Sequence, residues 1–386
     1  MTNVSMAGRK PRVVYWNRIP SPYIQERFDA LVDRGNLRFE AWFTARTEPD
    51  RSWQLDESCW RFPYRYLPGV GKEGGRVVVP PALLRGNIPD VLVSLYADPS
   101  FVLGSVLARS RRILHAYYVE KTFDTLIQRK RWKETLKRAL FAKADGVLAA
   151  GKDARQFVRK YGVPESRIYD LPNATDVGFF STASGAAREK RDDSRRTLGL
   201  RGLVFLFVGR RWWLKGLEYL IDGFGELNRR YSGQVSLLLV GDGPDGEALR
   251  QRCERQSIDN VVFIDYVQKQ DLPRIYGLAD VFVFPTLGDS YGLVVDEAMA
   301  CGLPVISTSA AGEIRSRVED GVTGFVVPPR SSAALAERMA TLTSDPDLAR
   351  NMGLRGFKKI STQTPDMWAE HFERAVEGIM SAGACR

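Results

Sequence analysis

Two acidic residues and a glycine lie close together in the segment TLGDSYGLVVDEAMACGLPV, residues 286–305. Seven residues separate Asp289 from Glu297, and Gly292 precedes an apolar run between them. A helix that begins near Gly292 would direct the backbone N–H groups of residues 291–294 at a bound phosphate, because a helix N-terminus has a partial positive charge. The spacing therefore predicts an anion site with an acid on each side.

A simpler interpretation of the same segment needs no ligand. Asp289 or Ser290 would then be an ordinary N-cap, and Glu297 a surface acid one turn further along the helix.

A second group of charged residues lies in FVGRRWWLKG, residues 207–216. Arg210 directly follows an apolar strand, and Lys215 precedes Gly216 and a helical pattern. A guanidinium and an ammonium group at the carboxyl end of a parallel strand suit phosphate oxygens. The loop predicts a diphosphate contact, although two solvated surface cations would give the same pattern.

A third segment, VGDGPDG at residues 240–246, matches the dinucleotide pattern G-x-G-x-x-G at Gly241, Gly243 and Gly246. With Asp265 near the end of the next strand, it indicates an NAD-type dehydrogenase as an alternative. Pro244 removes one amide donor from this loop. The pattern also falls on the second strand of its domain, and no histidine, tyrosine or cysteine group suited to hydride transfer accompanies it. A tight strand-to-helix turn explains the glycines equally well.

Apolar segments that alternate with helical ones predict an α/β protein with parallel sheets covered on both faces. Two series of five strands indicate two Rossmann-like, doubly wound domains. We predict an N-terminal domain at 1–175, a C-terminal domain at 176–365, and a terminal helix at 366–386 that packs on the N-terminal domain. The predicted strands are 12–16, 37–43, 91–96, 112–119, 146–150, 203–209, 235–241, 261–265, 281–285 and 304–308.

Two further predictions concern local structure. Residues 21–35 form a helix capped by Ser21, with Pro22 in its first turn and Gly35 at its end. The polar segment 181–196, which follows a junction at 171–176, is a linker between the domains; a plain surface loop within one large domain is the alternative.

Composition limits the kind of protein. The 386 residues include 56 Lys and Arg against 46 Asp and Glu, a net charge of +10, which permits anionic partners. The four cysteines are far apart and contain no C-x-x-C pair, so we expect reduced thiols and a cytoplasmic protein. The N-terminal residues lack a signal-peptide core, and no apolar run is long enough to span a bilayer.

Residues 129–143, RKRWKETLKRALFAK, combine seven basic residues with an apolar stripe at helical spacing. A solvated helix face explains this pattern, and so does a peripheral contact with an anionic membrane. No motif typical of nucleic-acid binding accompanies it.

The order of these segments resembles the C-terminal domain of retaining glycosyltransferases of family 4. The resemblance depends on Arg210 and Lys215, then LLLVGDGP, then FIDYV, then the long run from DLPRIYGLAD to VEDGVTGFVVPP, and covers about 203–330. Over 1–200 it depends mainly on strand and helix order and on residues 140–176. It implies the GT-B architecture, in which two Rossmann-like domains face each other across a cleft.

The resemblance also implies roles for single residues. Arg210 and Lys215 would bind the donor diphosphate, Glu297 the ribose, and Asp289 the donor sugar. The base would lie near Tyr266 and Val267. The implied donor site comprises Gly209, Arg210, Lys215, Tyr266, Val267, Asp289, Ser290, Tyr291, Gly292, Leu293, Val294 and Glu297.

Three positions depart from the family pattern. Asp289 stands where Glu is usual, and residues 17–23 contain no glycine where the family commonly has a glycine-rich loop. The histidine common in the family is also displaced, because His115 falls about three residues early. We interpret His115 as a packed residue and Glu120 as the better candidate for contacting the donor sugar or the acceptor.

No metal or other cofactor is implied. The D-x-D within SDPDL, residues 344–348, follows no apolar strand, and we interpret it as a helix start capped by Ser344. We therefore expect a metal-independent sugar transferase that uses a UDP- or GDP-linked donor in surface polysaccharide or glycolipid synthesis. A soluble small-molecule acceptor, a related GT-B epimerase or phosphorylase, the dehydrogenase and a non-catalytic nucleotide-sugar-binding module are the alternatives.

Overall fold

The computed structural model describes residues 9–48, 53–68, 88–95, 99–120 and 131–384. These residues form two compact units. The first contains the described residues up to Pro172 together with those from Pro365 onward, and the second contains Asn173–Thr364.

The first unit is built on a seven-stranded parallel sheet in the order β3-β2-β1-β4-β5-β6-β7. Its central strands are apolar on both faces because helices cover the sheet on each side. The strands are β1 (Arg12–Asn17), β2 (Arg38–Phe43), β3 (Tyr64–Tyr66), β4 (Val91–Ser94), β5 (Leu114–Val119), β6 (Gly146–Ala149) and β7 (Ile168–Asp170). The helices before the crossing to the second unit are α1 (Gln25–Arg34), α2 (Pro99–Ser110), α3 (Arg131–Lys143) and α4 (Lys152–Lys160).

The second unit is built on a six-stranded parallel sheet in the order β10-β9-β8-β11-β12-β13. The strands are β8 (Leu203–Val208), β9 (Val235–Val240), β10 (Val261–Ile264), β11 (Val281–Phe284), β12 (Val305–Thr308) and β13 (Gly324–Val327). The helices are α5 (Val177–Arg188), α6 (Arg191–Thr197), α7 (Leu217–Arg230), α8 (Gly246–Arg255), α9 (Leu272–Gly277), α10 (Leu293–Ala300), α11 (Ile314–Arg317), α12 (Ser332–Ser344) and α13 (Pro346–Ile360). A last helix, α14 (Pro365–Ala384), belongs to the first unit.

All ten predicted strands are present, with ends that differ by one or two residues. The sequence missed β3, β7 and β13, which lie at sheet edges and have only three or four residues each. Such short edge strands contain too few apolar residues for a pattern, since one face or edge is open to solvent.

The predicted start of α1 is wrong. The helix begins at Gln25, and Ser21 does not cap it, because the residues before it form a turn in which the Ile24 amide donates to the Ser21 carbonyl at 3.2 Å. The predicted end is confirmed, since Gly35 terminates the helix with a φ of 64°.

The segment 181–196 is helical, so the prediction of a linker there is wrong. It forms most of α5 and α6, and the Asp176 carboxylate caps α5 by accepting from the Phe179 amide at 2.9 Å. Its small residues allow close helix packing: a Cβ placed on Gly277 of α9 would lie 3.0 Å from the Ala187 Cβ.

Helix α14 supplies part of the core of the first unit. Trp368 and Phe372 are buried on α14, with ring centres 5.9 Å and 6.1 Å from those of Phe28 and Tyr15, respectively. A salt bridge between Arg34 Nε and Glu373 Oε2, at 2.9 Å, also joins α1 to α14. The described helices include none that is both long enough and apolar enough to span a bilayer.

The buried position of Phe372 gives a prediction about stability. Phe372→Ala should lower the free energy of unfolding by about 3–5 kcal/mol, because the substitution removes apolar contacts and leaves a cavity. Urea unfolding followed by circular dichroism measures the change. The control Leu354→Ala, at a side chain that is 60% exposed, should shift stability by no more than about 0.5 kcal/mol. Equal effects of the two variants would contradict a core role for α14.

Candidate active site

The loops that follow β8, β11 and β12 meet at the carboxyl edge of the second sheet. These strands are neighbours in the sheet, and the strand order reverses between β9-β8 and β11-β12. Ligands of open parallel sheets bind at such a reversal, outside the carboxyl ends of the strands. This edge is therefore the candidate active site of the second unit.

Lys215 and Asp289 form an ion pair across two of these loops. Lys215 ends a short 3-10 turn, Trp213–Lys215, and its Nζ donates to Asp289 Oδ2, with each side chain only 18% exposed. The backbones are joined as well, because the Leu287 amide donates to the Leu214 carbonyl at 2.8 Å. The structure thus brings together two predicted site residues that are 74 positions apart in the sequence.

The surroundings of Asp289 favour its ionised form. Burial raises the pKa of its carboxyl group, but the Lys215 ammonium, the Tyr291 amide and the charge of Arg317 together lower that pKa below its usual value. The Tyr291 amide donates to Asp289 Oδ1 at 3.0 Å. Asp289 therefore offers a fixed negative group beside a lysine.

Arg210 and Arg211 are adjacent in sequence but differ in role. Arg210 is half-buried, and its Cζ lies 5.7 Å from the ring centre of Trp212. Arg211 is only 4% exposed and donates to the Ile264 carbonyl at 2.6 Å and to Asp265 at 3.2 Å. Arg211 therefore joins the loop after β8 to the end of β10, a structural role that the sequence analysis missed.

The glycines of residues 240–246 have a packing role. A Cβ on Gly243 would lie 2.3 Å from the Arg211 carbonyl oxygen, so the loop after β9 lies directly against the loop after β8. Asp265, the proposed ribose-binding acid of a dehydrogenase, pairs with Arg211 instead. Nothing in this geometry supports the dehydrogenase.

Helix α10 begins beside the ion pair. Gly292 is its N-cap residue with a φ of 76°, and no side chain caps the helix. The interpretation of Asp289 or Ser290 as the N-cap is therefore wrong. The Tyr291 amide is also not available to a phosphate as predicted, because it donates to Asp289. The residues that begin the helix at this edge are Gly292, Leu293 and Val294.

Arg317 is a buried arginine behind this loop that the sequence analysis did not identify. Its Nη1 donates to Asp296 at 2.9 Å and to the Gly292 carbonyl at 3.1 Å, and its Nη2 donates to the Gly312 and Tyr291 carbonyls. Its side chain is 2% exposed. One guanidinium thus holds the segment that contains Asp289 and the start of α10.

No single-residue signal could have revealed Arg317. It lies in a segment with several charged residues, and Asp296 is next to the more conspicuous Glu297 in sequence.

Glu297 is fully buried on α10. Its Oε2 accepts a hydrogen bond from the Tyr276 hydroxyl at 2.7 Å. It is therefore not the surface acid of the simpler interpretation. Its ribose contact stays a prediction.

Tyr266 and Val267 follow β10 and are half-buried at the same edge. Burial, followed by the charges of Asp242 and Glu297, raises the pKa of Tyr266 to about 12. The region predicted for the base is thus electrostatically coupled to Glu297. Contact with a base stays a prediction.

Two residues of the first unit were also considered. Glu120 follows β5 at the carboxyl edge of the first sheet, and its charge contributes to the raised pKa of Tyr15. His115 is 5% exposed, and its Nε2 is hydrogen-bonded to Ser94 Oγ at 2.9 Å. His115 is a packed residue, as the sequence analysis interpreted it.

The D-x-D segment begins a helix, but Ser344 is not its cap. Ser344 is the last residue of α12, and the Asp345 carboxylate caps α13 by accepting from the Leu348 amide at 2.8 Å. Pro346 is the first residue of α13, so Asp345, directly before it, holds the N-cap position.

The lowered pKa of Asp289 gives a prediction about pH. A carboxyl group whose pKa is lower in the folded state contributes stability above its usual pKa, and this contribution is lost as the pH falls through the folded-state value. Asp289→Asn should be less stable than the native chain at about pH 6, and the difference should narrow toward about pH 3. Urea unfolding across this range measures it.

The matched control is Asp347→Asn, at a carboxylate that is 80% exposed. Its stability difference should change little with pH. A constant difference for Asp289→Asn would show that Asp289 is not stabilised as an anion.

Comparison with known proteins identifies a domain family for part of the chain. Residues 202–345 match the family model described as glycosyl transferases group 1. The chain is 30% identical over 260 residues to a D-inositol 3-phosphate glycosyltransferase of Nocardia farcinica, and the matched region covers 65% of this chain and 55% of that protein. It is also 30% identical over 243 residues to an alpha-D-kanosaminyltransferase of Streptomyces kanamyceticus, and the matched region covers 61% of this chain and 61% of that protein. The chain spans about half the length of the inositol 3-phosphate glycosyltransferases that it matches.

The fold has a counterpart among solved structures. HepE from Anabaena, crystallised with UDP and glucose, superimposes with a TM-score of 0.75 over 95% of this chain and 99% of its own, at 19% identity. The family match falls on the unit that contains Lys215, Asp289 and Arg317. The chain therefore contains a glycosyl transferases group 1 domain within the fold of GT-B glycosyltransferases, two Rossmann-like domains with parallel sheets.

Proposed function

We propose that the chain is a retaining, metal-independent glycosyltransferase that moves a sugar from a UDP- or GDP-linked donor to an acceptor hydroxyl. The observation that supports this most directly is the pair of Lys215 and Asp289 at the carboxyl edge of β8 and β11. The pair lies inside the segment that matches the glycosyl transferases group 1 model.

In this proposal the cations of the loop after β8 bind the donor diphosphate. Lys215 is held in place by Asp289 and lies 5.3 Å from the ring centre of Phe284, so its ammonium group has a defined position. Arg210 lies on the same loop. Preorganised positive groups stabilise negative charge that develops on a leaving group, and they do so most strongly where water is excluded. The first turn of α10 adds a partial positive charge.

Retention of configuration needs no carboxylate nucleophile in this scheme. The acceptor oxygen forms a bond to the anomeric carbon on the face from which the diphosphate departs. The bond between that carbon and the diphosphate oxygen breaks, and a phosphate oxygen takes the acceptor proton. Asp289 contacts the sugar hydroxyls, Glu297 the ribose, and Glu120 the donor sugar or acceptor.

Comparisons favour a uridine nucleotide as the first donor to test. HepE was crystallised with UDP, with UDP and glucose, and with UDP-glucose. These ligands were bound by HepE. The similarity of fold between HepE and this chain supports only the choice of a uridine nucleotide as the first probe.

Two acceptor classes remain in the proposal. A lipid-linked saccharide of surface polysaccharide or glycolipid synthesis fits a cytoplasmic enzyme that touches an anionic membrane through residues 129–143. A soluble small molecule is the second candidate, and the names of the relatives favour it, since they refer to inositol 3-phosphate and to kanosamine transfer.

A thermal-shift screen against UDP- and GDP-linked sugars, with NAD as a negative control, tests the donor class. A donor at about 100 times its dissociation constant should stabilise the native state by about 2.7 kcal/mol. Proton NMR of the product formed with the selected donor then tests retention. Stabilisation by NAD alone would overturn the proposal, and an inverted anomeric configuration would overturn the retaining mechanism.

The ion pair gives a prediction about turnover. Lys215→Ala should lower kcat at least about 100-fold, which is typical of losing one charge-stabilising group. Release of the nucleoside diphosphate from the selected donor measures it. Lys358→Ala removes an exposed lysine of α13 in the same unit and should leave kcat unchanged. Near-native turnover of Lys215→Ala would exclude the assigned role.

Arg317 gives a separate prediction as a positioning residue. Arg317→Lys keeps the positive charge but cannot reproduce the planar donor fork, so the Asp289 loop should lose its fixed geometry. We expect kcat to fall about 10-fold with a smaller change in KM, measured well below the unfolding temperature.

The matched control for Arg317→Lys is Arg252→Lys. Arg252 donates to Asp222 at 2.7 Å and 2.6 Å, and its pair lies on α8 and α7, outside the three loops of the site. If both variants lower stability alike and neither changes kcat, Arg317 has only a structural role.

A further inference from the structure

A cavity in the first unit lies outside the site described above. It has a volume of about 600 Å³ and lies between α2 and α3, over the beginning of β5. This volume is typical of small-molecule sites. Because crossover helices run antiparallel to the strands they join, the ends of α2 and α3 lie at the amino edge of the sheet. Glu120 lies at the opposite, carboxyl edge. The cavity is therefore separate from the predicted sugar chemistry.

The two helices face the cavity with the same spacing. Helix α2 contributes Val102, Ser105, Val106 and Arg109. Helix α3 contributes Leu136, Ala139, Leu140 and Lys143. Positions i, i+3, i+4 and i+7 share one face of a helix. Along that face, from its N-terminal to its C-terminal end, each helix therefore lines the cavity with mainly small or apolar side chains and then with a cation in its last turn.

The cations gather at one end of the groove. Arg109, Arg112 and Lys143 line this end. Arg109 Nη2 donates to the Lys143 carbonyl at 2.6 Å, which joins the last turns of the two helices. The one acid in the lining, Asp145, accepts from the His115 amide at 2.9 Å. All three cations are exposed and therefore accessible to an anionic group.

The rim of the groove is apolar and exposed. Val106 is 61% exposed and Leu136 39%, and Leu103, on α2 but outside the cavity lining, is 40% exposed. Among the described residues seven large apolar side chains are exposed, and three of them lie on these two helices. Exposed apolar residues that gather in this way usually mark an interaction site.

Burial makes the floor of the cavity uncharged. His115 lines it, and burial followed by the charge of Arg109 lowers the pKa of this histidine to about 3. The groove thus combines a neutral interior, an apolar rim and a cationic end. An apolar chain with an anionic head complements all three.

We propose that the groove between α2 and α3 binds an acyl chain of an anionic bilayer lipid, whose phosphate contacts Arg109, Arg112 and Lys143. This inference deepens the membrane contact in the proposed function and gives it a defined site. It also revises the prediction that the basic residues of 129–143 together form the surface that contacts a membrane. Lys137 faces inward, where its Nζ bonds to Glu134 at 2.8 Å and lies 5.6 Å from the ring centre of Tyr161.

Co-sedimentation with vesicles tests the head-group contact. The full chain should bind vesicles of phosphatidylcholine mixed with phosphatidylglycerol, and bind phosphatidylcholine alone much more weakly. The triple variant Arg109→Gln, Arg112→Gln, Lys143→Gln should bind roughly 100-fold more weakly, since each basic residue near an anionic surface contributes about a factor of five. The control Arg274→Gln, Arg350→Gln, Lys358→Gln removes three exposed charges of the second unit and should bind like the native chain.

The apolar contact is tested separately. Val106→Asp should lower vesicle binding at least about 10-fold, because it places a charge where an apolar chain would lie. Leu354→Asp is its match, since that side chain is 60% exposed but lies in the second unit. Equal effects of these two variants would overturn the proposal, as would equal binding to both kinds of vesicle.

A short-chain lipid separates chain insertion from surface attraction. Monomeric dioctanoyl phosphatidylglycerol should bind by calorimetry, and glycerol 1-phosphate alone should bind at least about 10-fold more weakly, because it lacks the apolar chains. Ala139→Trp, which fills the groove without changing its charge, should abolish binding of the lipid. Equal binding of both probes would overturn the acyl-chain assignment. Because no assay here measures sugar transfer, failure of the lipid site and failure of the proposed enzyme activity are distinguishable.

Discussion

The contact between Lys215 and Asp289 organises the second unit at its functional edge. Each charge lies in a place where water reaches it poorly, so either one alone would be costly to bury. Together they fix the relative position of two loops that parallel strands bring side by side. The arrangement leaves a lysine whose location is determined before any ligand arrives. Such preorganisation is what electrostatic stabilisation of a departing phosphate requires.

Arg317 is a second group that fixes the position of the loop containing Asp289. It contacts backbone carbonyls on both sides of the Asp289 loop, including those of Gly292 and Gly312. Its position beside Asp296 pairs two opposite charges inside the protein, and burial nevertheless raises the pKa of Asp296. A charge in such a location sets geometry more than it adds stability, since an apolar pair of similar volume often stabilises a core equally well.

The sequence predicts best where burial and topology act together. Continuous apolar runs identify central strands such as β9 and β11 because both faces of the sheet are covered. Polar residues in the loops after those runs are predicted to lie at one edge, because parallel strands end there. The structure brings two of them, Lys215 and Asp289, together at that edge.

The parts that the sequence could not predict depend on side-chain direction and close packing. Arg210 and Arg211 have the same chemistry, and only the tertiary structure directs one toward the loop surface and the other toward Ile264. Helices α5 and α6 resembled a linker because residues 181–196 are small or charged and include no large apolar side chain. The buried ion pair of Asp296 and Arg317 joins two segments of the chain. Their separation in the sequence follows neither the helical nor the strand period.

The position of α14 has a consequence for how the chain is made. The ribosome releases the strands of the first unit early, but Trp368 and Phe372, which pack against Phe28 and Tyr15, follow only after the whole of the second unit. At about 5–20 residues per second, the residues from Asn173 through Ala384 take roughly 10–40 s to follow. During that interval the second unit can fold as a whole, while the apolar side chains of the first unit that α14 later covers stay exposed to water.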